Sequence, residues 1–140
     1  MRALGLDLGE KRIGVALSDS AGTMATPYEL VQRSGSRERD HARIAALAEE
    51  AGAELIVVGL PLSLDGSKGP AVQNVEAELA ELREHVPLPF ETWDERLSTV
   101  EATRRLRAAG VRGPRRRQLV DQVAATVILQ SWLDANLPRR

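Results

Sequence analysis

Alternation of apolar and polar positions opens the chain. Leu4, Leu6 and Leu8 fall on one side of an extended segment and Ala3, Gly5 and Asp7 on the other, which predicts a strand over Arg2–Leu8. Gly9-Glu10-Lys11 reads as a turn. Ile13, Val15 and Leu17 then alternate with Gly14 and Ala16, predicting a second strand over Arg12–Ser18 that pairs with the first as a hairpin. A third extended stretch, Ala25–Gln32, follows the Asp19–Thr23 turn, and Pro27 suits an edge because it cannot donate to a ladder. From Ser36 the period becomes helical, with Ile44, Leu47, Ala48 and Ala51 on one face and Gly52 as terminator. Glu54–Val58 is a short apolar run of the kind that forms a strand buried on both sides. Gly59–Ser67 reads as a loop. Val72, Val75, Leu79, Leu82 and Val86 mark an amphipathic helix, which Pro87-Leu88-Pro89 ends before a last strand over Phe90–Trp93. Ser98-Thr99-Val100-Glu101 matches a capping box, starting a helix that runs to about Gly110 and giving Glu101 a purely local role. The Gly110–Arg117 segment is expected to be mobile, and a final helix to span Gln118–Asn136.

This order has an antiparallel opening and βαβ crossovers later. It predicts an α/β fold, a mixed five-stranded sheet with three antiparallel strands followed by parallel ones and helices packed on both faces. The 140 residues form one domain, 1–140, with no internal repeat or linker.

Composition narrows the chemistry. Cysteine is absent, which excludes a disulfide scaffold, a thiolate zinc site and a thiol nucleophile. With only His41 and His85, neither a histidine-rich metal site nor a Ser-His-Asp triad is expected. No apolar run approaches the ~20 residues that span a bilayer, and the first residues carry no signal-peptide core, so a cytosolic protein without a membrane partner is expected. Carboxylates, hydroxyls, Lys and Arg remain, with a hard metal ion as the natural complement. The net charge of −1 conceals a cluster: Arg104, Arg105, Arg107, Arg112, Arg115, Arg116 and Arg117 fall within one stretch that contains no acid. Removing those seven from the 19 basic residues leaves 12 against 20 acidic ones. Like charges so concentrated repel one another, which favours a nucleic-acid partner over a merely solvated face.

Acidic residues stand out at three places in the chain. Asp7 lies inside a strand expected to be central, where a carboxylate is costly to bury unless it is paired or bound to a cation; the local alternative is acceptance of backbone hydrogen bonds from the glycine turn. Asp121 shares a helical stripe with Ala124, Ala125, Ile128 and Trp132, so the pattern turns it toward the protein, although a first-turn carboxylate also favours the helix dipole. Asp94 and Glu95 follow the last strand, at the sheet edge where open α/β folds bind ligands, and periodicity does not choose between them. Carboxylates converging at such an edge suit Mg²⁺, and a pair of such ions can activate water and stabilise the leaving oxygen of a phosphodiester. The Gly59–Ser67 loop is weaker evidence: it lacks the P-loop pattern, although Ser67 is placed to cap the following helix.

Four segments together resemble, in order, the motifs of the YqgF/RuvX family: Leu6-Asp7-Leu8-Gly9-Glu10-Lys11-Arg12-Ile13-Gly14-Val15-Ala16; Gly59-Leu60-Pro61-Leu62 with Asp65-Gly66-Ser67; Asp94-Glu95-Arg96-Leu97-Ser98-Thr99; and Asp121-Gln122-Val123-Ala124-Ala125. The resemblance runs from Leu4 to Leu133. It implies an RNase H-like fold related to the RuvC resolvases, and a nuclease that processes the 5′ end of pre-16S ribosomal RNA, the family having earlier been described as resolving Holliday junctions. It also implies Asp7, Glu95 and Asp121 as the catalytic, metal-holding set, which tips the choice from Asp94 to Glu95. Glu10 departs from the small residue common at its position. The expected protein is thus an Mg²⁺- or Mn²⁺-dependent nuclease, monomeric or homodimeric, whose Arg96 and arginine cluster grip a precursor rRNA. Branched DNA is the second substrate class. Rival readings are an actin-like ATPase, whose first hairpin also begins Asp-x-Gly but which needs two such domains, and an RNA-binding assembly factor that does not cut. Scarce aromatic residues favour recognition of backbone shape over base stacking.

Overall fold

The computed structural model describes residues 1–98 and 114–136, the side chains of residues 114–121 excepted. Five strands, β1 (Ala3–Leu8), β2 (Arg12–Ser18), β3 (Ala25–Gln32), β4 (Leu55–Leu60) and β5 (Phe90–Asp94), form one sheet in the order β3-β2-β1-β4-β5. β1 pairs antiparallel with β2 and β2 with β3, whereas β1–β4 and β4–β5 are parallel. The mixed sheet expected from the sequence is present, with β1 at its centre. Pro27 lies on the edge strand, as its missing N–H requires, and the β2–β3 ladder shifts between Val15 and Ala16 as it passes from Glu29 to Pro27.

The helices are α1 (Arg37–Ala51), α2 (Pro70–His85) and α3 (Pro114–Asn136). Ser36 caps α1 by accepting from the Arg39 N–H, and Gly52 closes it in the left-handed region at φ 67°. α2 starts differently from expectation. Its N-cap is Gly69 with no side-chain cap, and Pro70 occupies the first helical turn, where its missing N–H would have lacked an intrahelical partner anyway. Ser67 donates its N–H to Asp65 Oδ1 within the loop instead of capping the helix. α3 begins at Pro114, so the backbones of Arg115, Arg116 and Arg117 are helical and not part of a mobile connection. The helix expected between Ser98 and about Gly110 lies, beyond Ser98, outside the described residues. No helix among the described residues is long and apolar enough to cross a membrane.

Alternation along the strands sorts the core into two clusters. Leu4, Leu6, Ile13, Val15, Ile56 and Val58 pack with Ile44 and Leu47 of α1 and Leu79 and Leu82 of α2. On the other face Ala3, Ala16, Leu55 and Val57 meet Ala124, Ala125, Ile128, Leu129 and Trp132 of α3. Small residues on this second face, Ala3, Gly5 and Ala16, let α3 lie very close to it: a Cβ on Gly5 would stand 2.6 Å from Leu129 Cβ and 3.2 Å from the Ala125 carbonyl oxygen.

Gly5→Ala should therefore overpack this face and lower stability by about 1–3 kcal/mol, read as a shift of the denaturant midpoint. An unshifted midpoint would mean that α3 can retreat at no cost.

Candidate active site

The parallel register brings three chain segments to one end of the sheet. Leu6 pairs with Val58 and Gly59 with Trp93, so Asp7, Gly59 and the exit of β5 lie at similar height. Asp7 alternates with Leu6 and Leu8 and so shares the α3 face with Gly5; only 7% of it is exposed. Glu95 is 5% exposed and heads a 3₁₀ turn, Glu95–Leu97. The turn is held from both sides: the Asp94 side chain accepts from the Arg96 N–H at 2.9 Å, and Ser98 donates to the Glu95 carbonyl through N at 3.2 Å and Oγ at 2.8 Å. Gly59 leaves the space that Glu95 uses, since a Cβ there would stand 2.9 Å from Glu95 Oε2 and 2.6 Å from Ile128 Cδ1.

Asp7 and Glu95 line the same cleft, about 700 Å³ in volume, with Gly9, Glu10 and Gly59. The two acids that periodicity left level are here separated. Asp94 is not among the lining residues and is bound by the Arg96 guanidinium, Nη2 to Oδ2 at 2.7 Å and Nε to both oxygens at 3.1 Å. That guanidinium holds the Asp94 carboxyl below its ordinary range. Arg96 also donates to the Leu64 carbonyl at 3.2 Å, tying the turn after β5 to the loop after β4.

α3 runs against β4. Ile128 meets Gly59, whereas Trp132 donates from Nε1 to Oε1 of Glu91, the register partner of Val57, at 3.4 Å. Traced backward from Ile128, the helix therefore advances toward the strand ends that carry Asp7 and lead to Glu95. Asp121 belongs to α3, one turn before Ala125, and its side chain lies outside the described residues. So do the side chains of Arg115, Arg116 and Arg117 and the whole of Arg104, Arg105, Arg107 and Arg112. Among the described residues no group of three His, Cys, Asp or Glu side chains is arranged to hold a metal ion, a set that necessarily omits Asp121.

The sequence reading missed a second polar cluster in this cleft. Arg33, just after β3, donates from Nη1 and Nη2 to the Glu78 carboxylate at 2.8 and 2.7 Å and from Nε to the Gly9 carbonyl at 2.8 Å. His41 Nε2 lies 2.8 Å from the same carboxylate. Both Arg33 and Glu78 line the cleft. The signal for Glu78 was in the sequence: it lies three residues after Val75 and four before Leu82, on the buried stripe of α2. Burial pushes its carboxyl up, but the hydrogen bonds from Arg33 and His41 outweigh this, so it ionises below its ordinary value of 4.5.

A family model described as "RuvX: Holliday junction resolvase" matches residues 1–135. A Myxococcus xanthus protein named "Putative pre-16S rRNA nuclease" is 48% identical over 138 residues, covering 99% of this chain and 91% of its own. A protein of the same name from Symbiobacterium thermophilum is 47% identical over 139 residues, covering 99% and 96%. Among solved structures, Thermus thermophilus RuvC in complex with Holliday junction substrate aligns at a TM-score of 0.58 and 16% identity, over 98% of this chain and 96% of that one. That likeness is one of fold, and it is the RNase H-like fold.

Because Glu78 ionises more readily in the folded state, its contribution to stability is complete above pH 4.5 and is lost as pH falls through the depressed value. Glu78→Gln should lower stability at pH 7 by about 3 kcal/mol. Melting temperatures measured from pH 7 to pH 3 should converge for parent and variant on the acid side; a constant gap would remove Glu78 from the acid response.

Proposed function

The chain belongs to the RuvX family, and from that premise we propose that it is a divalent-metal-dependent nuclease that cleaves phosphodiester bonds in precursor 16S ribosomal RNA. One observation carries the reading. Asp7 and Glu95, distant in the chain and both almost wholly buried, line one cleft at the end of the sheet where parallel strands deliver ligand-binding groups.

The donor set fits a hard cation. Both side chains offer carboxylate oxygens, and Gly59 leaves the space that the Glu95 carboxylate occupies. Asp7 from the end of β1, Glu95 from the turn after β5 and Asp121 from the first half of α3 are the residues that would hold Mg²⁺ or Mn²⁺. Such an ion, when bound, supplies a lower pKa for an attacking water and positive charge for the leaving oxygen. Asp94 and Arg96 keep the Glu95 turn fixed. With Arg96 engaged by Asp94 and Leu64, the grip on the phosphate backbone rests chiefly on Arg104, Arg105, Arg107, Arg112, Arg115, Arg116 and Arg117. Contacts of this type position a polyanion without reading its sequence, so branched DNA, the substrate in the family's description, belongs to the same chemistry.

Asp7→Asn and Glu95→Gln should each reduce cleavage of labelled precursor rRNA to the level seen in EDTA, while retaining RNA binding. Persistent cleavage by either variant would place the chemistry elsewhere, and faster cleavage of a four-way junction than of the RNA would transfer the substrate to DNA. Replacing Arg115, Arg116 and Arg117 together by Ala should flatten the plot of log affinity against log salt by about 2 on single-stranded RNA. An unchanged slope would remove those side chains from the interface.

A further inference from the structure

The turn that follows Asp7 is gripped twice by one residue. The Arg33 N–H donates to the Lys11 carbonyl at 3.1 Å, and its Nε donates to the Gly9 carbonyl at 2.8 Å. Gly9 in turn donates its N–H to the Asp7 carbonyl at 3.0 Å, and a Cβ on Gly9 would stand 2.7 Å from the Arg12 carbonyl oxygen, so the turn has little room to relax. The other edge of the guanidinium is clamped by both oxygens of Glu78, whose side chain is 4% exposed and is itself met by His41. A planar fork held at one edge fixes the direction of its remaining N–H groups, which a lysine ammonium would not do.

A buried ion pair of this kind adds little stability over well-packed apolar residues. Its placement is what stands out. It joins the end of β3, α1 and α2 to the turn that follows Asp7, which is itself held opposite Gly14 in the β1–β2 ladder, and it does so inside the cleft that Asp7 and Glu95 line. We infer that Arg33, oriented by Glu78, is a positioning residue for the acidic site: it fixes the Gly9 carbonyl and through it the direction in which Asp7 presents its carboxylate to a divalent cation. The inference rests on the proposed metal-binding role of Asp7. It extends the site to residues that contribute no metal-directed oxygen.

The test is Mn²⁺ binding to the full chain without nucleic acid, followed by the electron paramagnetic resonance of free Mn²⁺, with melting temperature recorded in parallel. Two altered chains are compared with the parent. Arg33→Lys keeps the charge opposite Glu78 but loses the fork. Arg33→Met combined with Glu78→Gln removes both charges while leaving His41 an amide oxygen, which keeps the fold testable should the lysine variant not fold. Each folded variant should bind Mn²⁺ about tenfold more weakly or worse, the scale of outer-shell effects on metal sites. Its cleavage of precursor rRNA should recover at raised Mn²⁺ concentration, a recovery that general destabilisation would not produce. A folded variant with parental Mn²⁺ affinity overturns the inference. Asp7→Asn separates the two levels: if it binds Mn²⁺ as the parent does, the metal-binding role of Asp7 fails and this inference falls with it. If Asp7→Asn loses the ion while both Arg33 variants keep it, only the role of Arg33 fails.

Discussion

Moving a carboxylate out of water costs several kcal/mol even after the protein relaxes around it. The chain nevertheless buries Asp7, Asp40, Glu78 and Glu95. Two of these acids are answered locally. Asp40 accepts from the Ser34 N–H and hydroxyl at the start of α1, and Glu78 is enclosed by Arg33 and His41. Asp7 and Glu95 also line one cleft together at the sheet edge, and carboxylates that share a cleft favour a cation there. The architecture is most easily understood as the means of reaching that arrangement. β1 must be central for Asp7 to be buried on a strand, and β4 and β5 must run parallel to it for Glu95 to arrive at the same end.

The two faces of the sheet are accordingly unequal. Against α1 and α2 the strands present mainly Leu, Ile and Val side chains, whereas against α3 they place Ala3, Gly5, Ala16 and Gly59 beside Leu55 and Val57. Small residues surrender apolar area, but they let α3 approach until Leu129 and Ile128 lie where side chains at Gly5 and Gly59 would otherwise be. At Gly59 the same missing Cβ serves packing and chemistry together, because Glu95 Oε2 occupies the adjacent space. A substitution there would disturb the helix contact and the carboxylate at once.

Sequence pattern was most informative where large and small apolar residues alternate or where turn and cap residues mark an element's ends. The bounds of β2 follow from alternation and those of β3 from the turn before it, and Ser36 and Gly52 frame α1 through their own chemistry. It failed where one residue type suits two structures. Gly59 and Leu60 look like loop but remain in the parallel ladder, with Leu60 opposite Asp94. Pro114 looks like a breaker but begins α3, a position that needs no N–H. The site was partly legible: periodicity singled out Asp7 and the Asp94–Glu95 pair, and the motif resemblance favoured Glu95, but that Arg96 engages Asp94 and reaches the Leu64 carbonyl could not be read from the pattern, because Leu64 comes from another part of the chain. Glu78 was legible on its helix stripe. Arg33 was not, since nothing in the pattern after β3 distinguishes a buried arginine from a solvated one.

Arg33 and Arg96 use one device at two strand exits. Each donates to a carboxylate and also to a main-chain carbonyl of a neighbouring turn: Arg33 to Glu78 and Gly9 after β1, Arg96 to Asp94 and Leu64 after β5 and β4. Strand ladders fix backbone direction only as far as the pairing extends: Asp7 lies one residue past the last β1–β4 pair while still opposite Gly14 of β2, and Glu95 follows the end of β5. The Arg96 pair is partly exposed, with side chains 34% and 20% accessible, and pairs of that exposure contribute on the order of 1 kcal/mol or less. Stability is therefore a poor account of the Arg96 pair. A rigid fork that spans a carboxylate and a carbonyl instead carries the order of the sheet one turn further, to the residues where two carboxylates must be held in a fixed relation if a single small cation is to satisfy both.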